Sequence, residues 1–247
     1  MEKNKIAFLT GAGISQPSGL STFRTHNGLW NQQKIEDVAM YKGFLKDPVN
    51  VHQFYNNLRS EINSCKPNIA HLLIAELEKD YDVTVITQNI DNLHEVAGST
   101  NVIHLHGQHN LQKCEACHDI FTWNRDWIYN KDTCPTCREA HLVRPGIIWF
   151  DESLDAEKIY KAEDAIRAAD LFVQIGTSAE VSPANKLIKR AKRRKRVEMN
   201  LVRSNPRNPW LFHNYYMGNV IRTMPEFIKD IPELMLLKEK GITKIIN

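Results

Sequence analysis

No apolar run in the sequence approaches the length of a membrane span. The first apolar stretch, Ile6 to Thr10, is too short for a signal-peptide core, and no small-residue cleavage site follows it. These absences predict a soluble cytoplasmic protein with no membrane partner. Cysteine is scarce: five residues in 247, four of them in two C-x-x-C pairs. That pattern suits a metal site in a reducing compartment better than a disulfide framework. Charge imbalance is also small. A formal net charge of +3 does not by itself argue for a nucleic-acid partner. There is no internal repeat, and the single biased segment is the basic run from Lys186 to Arg196. That run admits two readings: a surface for nucleic acid or an acidic partner, or a solvated helix end where cations are favoured. The second is the expectation.

What is present is an ordinary globular composition, 42% hydrophobic and 25% charged, which can bury a sizeable core. Ile6–Thr10, Val83–Asn89, Val102–His106, Leu171–Thr177, Val197–Val202 and Val220–Met224 read as buried parallel strands. They are rich in β-branched residues and lack strict alternation, as strands covered on both faces do. Ala70–Lys79 and Ala156–Ala169 carry apolar residues at helical spacing. Strand–helix alternation predicts an α/β fold with a Rossmann-like, doubly wound parallel sheet. Residues 31–69, mostly helical and polar, and 108–142, which hold the cysteines, interrupt the alternation. Together they predict a smaller helical and zinc-ribbon domain inserted into a larger one built from 1–30, 70–107 and 143–247.

Two motifs carry chemistry on their own. Gly11-Ala12-Gly13-Ile14-Ser15 ends the first strand, where glycines allow close approach to a pyrophosphate and present amides. The spacing is not that of the dinucleotide fingerprint: Gln16 stands where the third glycine would be, and no acidic residue ends the second strand. Cys114-x-x-Cys117 and Cys134-x-x-Cys137 have the spacing of two knuckles of a tetrahedral four-thiolate zinc site. Four thiolates leave no open position, so such a zinc is structural. His118 and His141 lie nearby but are not needed, and Cys65 reads as a packed small residue. His104 and His106 are two apart on a strand and could both be satisfied interior histidines.

In combination the motifs closely resemble the sirtuin family, nearest its small bacterial-type deacetylase and desuccinylase subgroup. The resemblance runs through Gly11 to Ser15, Ser18-Gly19-Leu20, Thr22-Phe23-Arg24 and Gly28-Leu29-Trp30. It continues through Thr87 to His94, His104-Leu105-His106-Gly107, Arg144 to Phe150, Gly176-Thr177-Ser178, Asn200-Leu201 and Pro225-Glu226-Phe227. It covers nearly the whole chain, in order, and implies a minimal catalytic core. It implies NAD as co-substrate and protein or peptide acyl-lysine as substrate, giving nicotinamide and O-acyl-ADP-ribose. His106 would be the general base, the role for which imidazole suits a near-neutral pH. Gly11, Ala12, Gly13 and Ser15 would lie at the phosphates, with Phe23, Arg24 and Trp30 on or beside the cofactor loop. Gln88, Asn89, Ile90 and Asp91 would line the nicotinamide end. Gly176, Thr177 and Ser178 would face phosphate and ribose; Asn200, Leu201 and Val220 would hold the adenosine end. The peptide would add as a strand beside Ile147–Asp151 and residues 180–182, with Tyr55, Ile148, Phe150 and Val181 at the substrate.

The sequence also departs from the family pattern. Thr22 resembles the subgroup that removes acidic acyl groups, and that subgroup pairs a tyrosine with an arginine three residues on. Here Tyr55 is followed by Leu58, and the arginine comes one position later, at Arg59. That offset rotates a helical side chain by about 100°. A neutral acyl group, acetyl first, is therefore expected over desuccinylase or demalonylase selectivity. Asp151 stands where glycine is usual, which suggests an acidic rim beside the peptide groove. NAD glycohydrolysis or ADP-ribosyl transfer on the same site is the competing activity.

Overall fold

Strand β1 (Lys5–Thr10) shows why the expected sheet forms. Ile6 and Phe8 enter one core cluster, Ala7 and Leu9 another, and all four are almost fully buried. Successive strand side chains point to opposite faces, so a strand covered on both sides is apolar throughout. The computed structural model describes residues 2–21, 29–30, 33–178, 184–192, 195–204, 211–236 and 244–246. After β1 come the short helix α1 (Ala12–Ser15), strands β2 (Leu29–Trp30) and β3 (Gln33–Lys34), and helices α2 (Ile35–Val38), α3 (Tyr41–Lys46), α4 (Pro48–Ser64) and α5 (Ile69–Glu76). Then follow β4 (Asp82–Thr87), α6 (Leu93–Ala97), β5 (Val102–His104), β6 (Gly107–Cys114), β7 (Ile120–Thr122) and β8 (Val143–Ile147). The rest is α7 (Ala156–Ala168), β9 (Leu171–Ile175), α8 (Ala184–Leu187), β10 (Arg196–Asn200), β11 (Asn214–Met217), α9 (Val220–Leu236) and β12 (Lys244–Ile246).

The large sheet has the order β12-β11-β10-β9-β1-β4-β5, and every pairing in it is parallel. The chain winds outward from β1 through β4 to β5, then returns to β9 on the other side of β1. This is the expected Rossmann-like α/β arrangement. Its strand order reverses between β1 and β9, where open parallel sheets place their ligand crevice. Helices α5 and α9 cover one face through Ile74, Met224 and Phe227; α7 and α8 cover the other through Ala162, Ile166 and Leu187.

One expected strand is not one. Val220–Met224 opens helix α9, and the strand in that part of the sheet is β11. The β-branched start of the segment mimics a strand. Its burial, however, falls on Val220, Thr223, Met224, Phe227, Ile231 and Leu234, a helical spacing, and Asn219 Oδ1 accepts from the Ile221 amide at the helix start. The other five expected strands exist: the first ends at Thr10 as read, and the remaining four stop two residues early, at Thr87, His104, Ile175 and Asn200.

Residues 31–69 are largely helical, as read, but less polar in effect than in composition. Val38, Phe44, Val51, Phe54, Tyr55, Leu58 and Ile62 form a separate core with Ile147 and Trp149. The cysteine segment contributes to an antiparallel sheet of order β7-β6-β8, so this sheet also draws on residues beyond 142. Among the described residues no helix is long and apolar enough to cross a membrane.

Candidate active site

A cleft of about 1000 Å³ opens at the C-terminal ends of the strands, at the switch point. Its floor is backbone packed on backbone. The Gly11 amide donates to Ile175 O (3.0 Å) and the Gly13 amide to Gly176 O (2.9 Å). A Cβ on Gly13 would stand 2.6 Å from Gly176 Cα, and Gly176 itself holds φ +63°. The expectation that both glycines present amides is therefore corrected. Their donors are already used, and their contribution is the closeness of the turn to the next strand. Ala12, Thr177 and Ser178 line the cleft beside them.

Ser15, Asn89 and Asp91 form one network. Ser15 Oγ donates to Asp91 Oδ2 (3.0 Å), and Asn89 Nδ2 donates to Ser15 Oγ (3.1 Å) and Gly11 O (3.2 Å). The Leu93 amide donates to Asp91 Oδ1. Burial raises the Asp91 carboxyl above its ordinary value, and the Leu93 and Ser15 hydrogen bonds oppose the rise. Ile90 lines the cleft between the two polar residues.

The two histidines diverge. His104 is buried, with Nδ1 against Asn89 O (3.1 Å) and Nε2 against Glu95 Oε1 (2.7 Å). It is the satisfied interior histidine. His106 lies beyond the end of β5 and lines the cleft. Its Nδ1 is 2.8 Å from Gln88 O. A carbonyl only accepts, so Nδ1 carries the proton and the neutral ring keeps Nε2 as a lone-pair acceptor. Burial lowers the His106 pKa from 6.5, and the bond to Gln88 O works against the shift. Gln88 in turn donates through Nε2 to Thr177 Oγ1 (3.1 Å).

At the other end, Asn200 Nδ2 donates to Thr177 O (3.0 Å) and Glu198 Oε1 (2.8 Å). Asn200, Leu201 and Val220 all line the cleft. Sequence reading missed Glu198. It is buried and also accepts from the Ser204 amide (2.6 Å), so it braces the loop after β10 from beneath. Its alternation within Val197-Glu198-Met199 is the signal that could have found it.

Tyr55, Leu58 and Trp30 line the cleft as well, whereas Arg59 does not. Trp30 packs edge-on against Phe54 (4.9 Å) and Tyr55 (6.1 Å), which makes it a wall aromatic at the Tyr55 end. Trp149 Nε1 donates to the Tyr55 hydroxyl (2.9 Å). Ile148 and Phe150 line the cleft, but the Ile148, Trp149 and Phe150 amides already donate to His106 O, Glu152 and Ala39 O. Asp151 is exposed beside Phe150, and both its carboxylate oxygens accept from the Tyr41 amide, at the start of α3. Thr22, Phe23, Arg24, Gly28 and Val181 lie outside the described residues.

The four cysteines converge. All four Sγ atoms lie within 4.8 Å of one another, with Cys114–Cys137 at 3.6 Å and Cys117–Cys134 at 3.7 Å. A tetrahedral zinc with Zn–S of about 2.3 Å needs sulfur spacings of about 3.8 Å. Soft thiols at that spacing fit a closed structural zinc.

A family model described as Sir2 family matches residues 11–183. The chain belongs to the Sir2 family. It is 40% identical over 240 residues to the NAD-dependent protein deacylase SIR2rp3 of Leishmania major, covering 94% of this chain and 98% of that one. It is also 40% identical over 238 residues to the NAD-dependent protein deacylase of Escherichia coli K12, covering 94% and 83%. A solved Sir2 homologue in complex with 2'-O-acetyl ADP ribose superposes with a TM-score of 0.82 at 35% identity, covering 97% and 96%.

In this Sir2 chain several residues of the basic run hold the fold. Arg196 is buried and donates to Ala191 O and Lys189 O, while Lys195 donates to Leu234 O and Met235 O at the end of α9. Arg190 pairs with Glu163 and Lys192 with Asp170. Arg193 and Arg194 lie outside the described residues. Arg144, quoted in the sequence only as part of the family motif, has a structural role that was not read. It is 2% exposed, pairs with Glu115 and Glu152, and lies over the Trp149 ring at 4.4 Å.

Proposed function

We propose that this chain is an NAD-dependent protein-lysine deacylase that releases nicotinamide, free lysine and O-acyl-ADP-ribose. The observation that carries the reading is His106: an imidazole at the cleft whose Nδ1 is held by Gln88 O, leaving Nε2 as an acceptor. When bound, NAD would supply an electrophilic ribose carbon with nicotinamide as its leaving group and the acyl oxygen as the incoming nucleophile, and water would complete the release of the lysine. His106 Nε2 then takes a proton from a ribose hydroxyl, and the lowered pKa keeps the ring neutral for that task. Asn89, Ile90 and Asp91 hold the amide end of the nicotinamide, with Ser15 bridging the two polar side chains. The Gly11–Gly13 turn and Gly176–Ser178 seat the phosphates, and Asn200, Leu201 and Val220 the adenosine. Phe23, Arg24 and Val181 complete the proposed cofactor loop and substrate contacts. The helical and cysteine-bearing insertions form a small domain whose inner wall, through Tyr55 and with Trp30 packed beside it, faces the acyl group. Four reduced thiols as metal ligands favour a cytoplasmic setting. The relatives' name and the acetyl-ADP-ribose complex support the same chemistry.

The test is product analysis. With NAD and an acetyl-lysine peptide, nicotinamide, deacetylated peptide and O-acetyl-ADP-ribose should form in equal amounts. Free ADP-ribose released without dependence on acyl-lysine would make the protein a glycohydrolase instead.

A further inference from the structure

The loop that leaves β10 brings a cation to the end of the cleft assigned to the adenosine. Arg203 lines the cleft there, and among the described lining residues it is the only arginine or lysine. Its guanidinium lies over the Tyr215 ring at 4.3 Å and makes no ion pair among the described residues. A cation–π contact consumes none of the guanidinium's N–H donors. Ser204, the next lining residue, is held from beneath. Its amide donates to the buried Glu198 Oε1 (2.6 Å), and its Oγ accepts from Gln174 Nε2 (3.1 Å). The Ser204 hydroxyl still has its proton to donate. The loop turns no acid toward the cleft. Four carboxylates line the cleft, Glu61, Asp91, Glu152 and Glu163, and none belongs to the loop after β10 or to the start of α9. Glu198 is the acid of β10, but it is 1% exposed, and its Oε1 is taken by Asn200 Nδ2 and the Ser204 amide.

Dinucleotide folds that select the unphosphorylated adenosine ribose do so with a carboxylate, which accepts from a ribose hydroxyl and repels a phosphate. Folds that take the 2′-phosphate set an arginine nearby. In this chain the acid of the strand is spent inside the fold and the arginine lines the cleft. We propose that Arg203 and Ser204 form a phosphate-binding position at the adenosine ribose, so that the site takes the 2′-phosphorylated dinucleotide, NADP, as well as NAD. The proposal rests on the reading of this end of the cleft as the adenosine end. A guanidinium and a hydroxyl suit a phosphate dianion, and α9 begins at the same end through Val220, with the positive pole of its dipole. The buried Glu198 charge works against the phosphate, and the two donors on it reduce that opposition. Neither form of the ribose meets a carboxylate among the described lining residues, so discrimination between them is small.

The experiment is titration calorimetry of the full chain without acyl peptide, with NAD, with NADP, and with each in competition with the other. Expected are dissociation constants within about tenfold of one another, mutual displacement, and a steeper loss of NADP affinity as salt is added. Arg203→Ala should lose at least about tenfold more affinity for NADP than for NAD, and Arg203→Lys should recover most of that difference. A purely structural role for Arg203, exerted through Tyr215, predicts equal losses for both dinucleotides and overturns the proposal. Adenosine 2′,5′-bisphosphate against AMP tests the same end without any variant: the bisphosphate should bind more tightly, and equal binding overturns the proposal. NAD binding with NADP weaker by about a hundredfold or more overturns it too, and leaves the NAD reading standing. Binding of neither dinucleotide overturns both. Deacylation enters none of these readouts, so its failure is seen separately.

Discussion

At the residue scale, the question for His106 is which nitrogen is free and when. The carbonyl of Gln88 answers the first part by fixing the proton on Nδ1. Burial answers the second, since it lowers the pKa from 6.5 and so favours the neutral base. His106→Ala should fold and bind NAD but lose about a hundredfold in kcat, the usual cost of deleting a general base. Turnover near that of the unaltered chain would remove His106 from the chemistry. The sign of the pH effect follows. The base form exists above its pKa, so kcat/KM should be level above pH 6.5 and decline only on the acid side of it. An acid limb centred well above 6.5 would mean that some other group titrates. The motif around His106 was legible in sequence, and so was its distinction from His104. The partner of each ring was not, because Gln88 O and Glu95 come from other segments.

At the element scale, each strand of the large sheet that sequence reading extended too far stops just before a residue of the site. Gln88 and Asn89 follow β4, His106 follows β5, Thr177 follows β9 and Leu201 follows β10. Leu105 after β5 and Leu201-Val202 after β10 carry the apolar character past the last ladder bond and hide the break, whereas Gln88-Asn89 after β4 and Gly176 after β9 already show one. The sheet geometry requires one, because the crevice lies outside the strand ends. Val220–Met224 was misread for a related reason: five residues are too few to tell period 2 from period 3.6. Arg59 was placed correctly as off-register, but its destination in the cysteine-bearing sheet needed the fold. Close backbone packing beneath the site gives a sharp prediction. In Gly13→Ala the new methyl meets Gly176 Cα at 2.6 Å, and backbone cannot rotate aside. A loss of about 1–3 kcal/mol of stability is expected from such overpacking, with weakened NAD binding. Urea unfolding and calorimetry would read both; an unchanged midpoint and affinity would mean the turn can open.

At the scale of the whole molecule, stability depends on two things besides the apolar core. One is the metal site. Cys134→Ala leaves three thiols, and because zinc binding free energy is folding free energy, the variant should lose its zinc by elemental analysis and melt lower. The other is a set of buried histidines. His52 and His71 are pushed by burial from 6.5 to about 4, and His94, packed on His71 with ring centroids 4.8 Å apart, is lowered as well. The folded pKa lies below the unfolded one. Above pH 6.5 both states are neutral at these rings and nothing is lost. As pH falls from 6.5 toward 4 the unfolded chain takes up protons that the folded chain refuses, so stability drops across that window. Each unit of difference is worth about 1.4 kcal/mol, so either ring can contribute on the order of 3 kcal/mol at most. Against a typical total of about 5–15 kcal/mol, two such rings can remove a large part of the stability in mild acid. Asp91, raised by burial, works in the opposite direction, but it is one carboxyl and its buried hydrogen bonds hold the rise back. The expected result is a denaturant midpoint that is level from pH 8 to 7 and falls steeply between 6.5 and 4. Replacing His71 with Leu should flatten that fall by removing one proton from the difference. A midpoint constant down to pH 5, or a slope unchanged in His71→Leu, would show that these rings find a partner in the folded chain and take up their protons there.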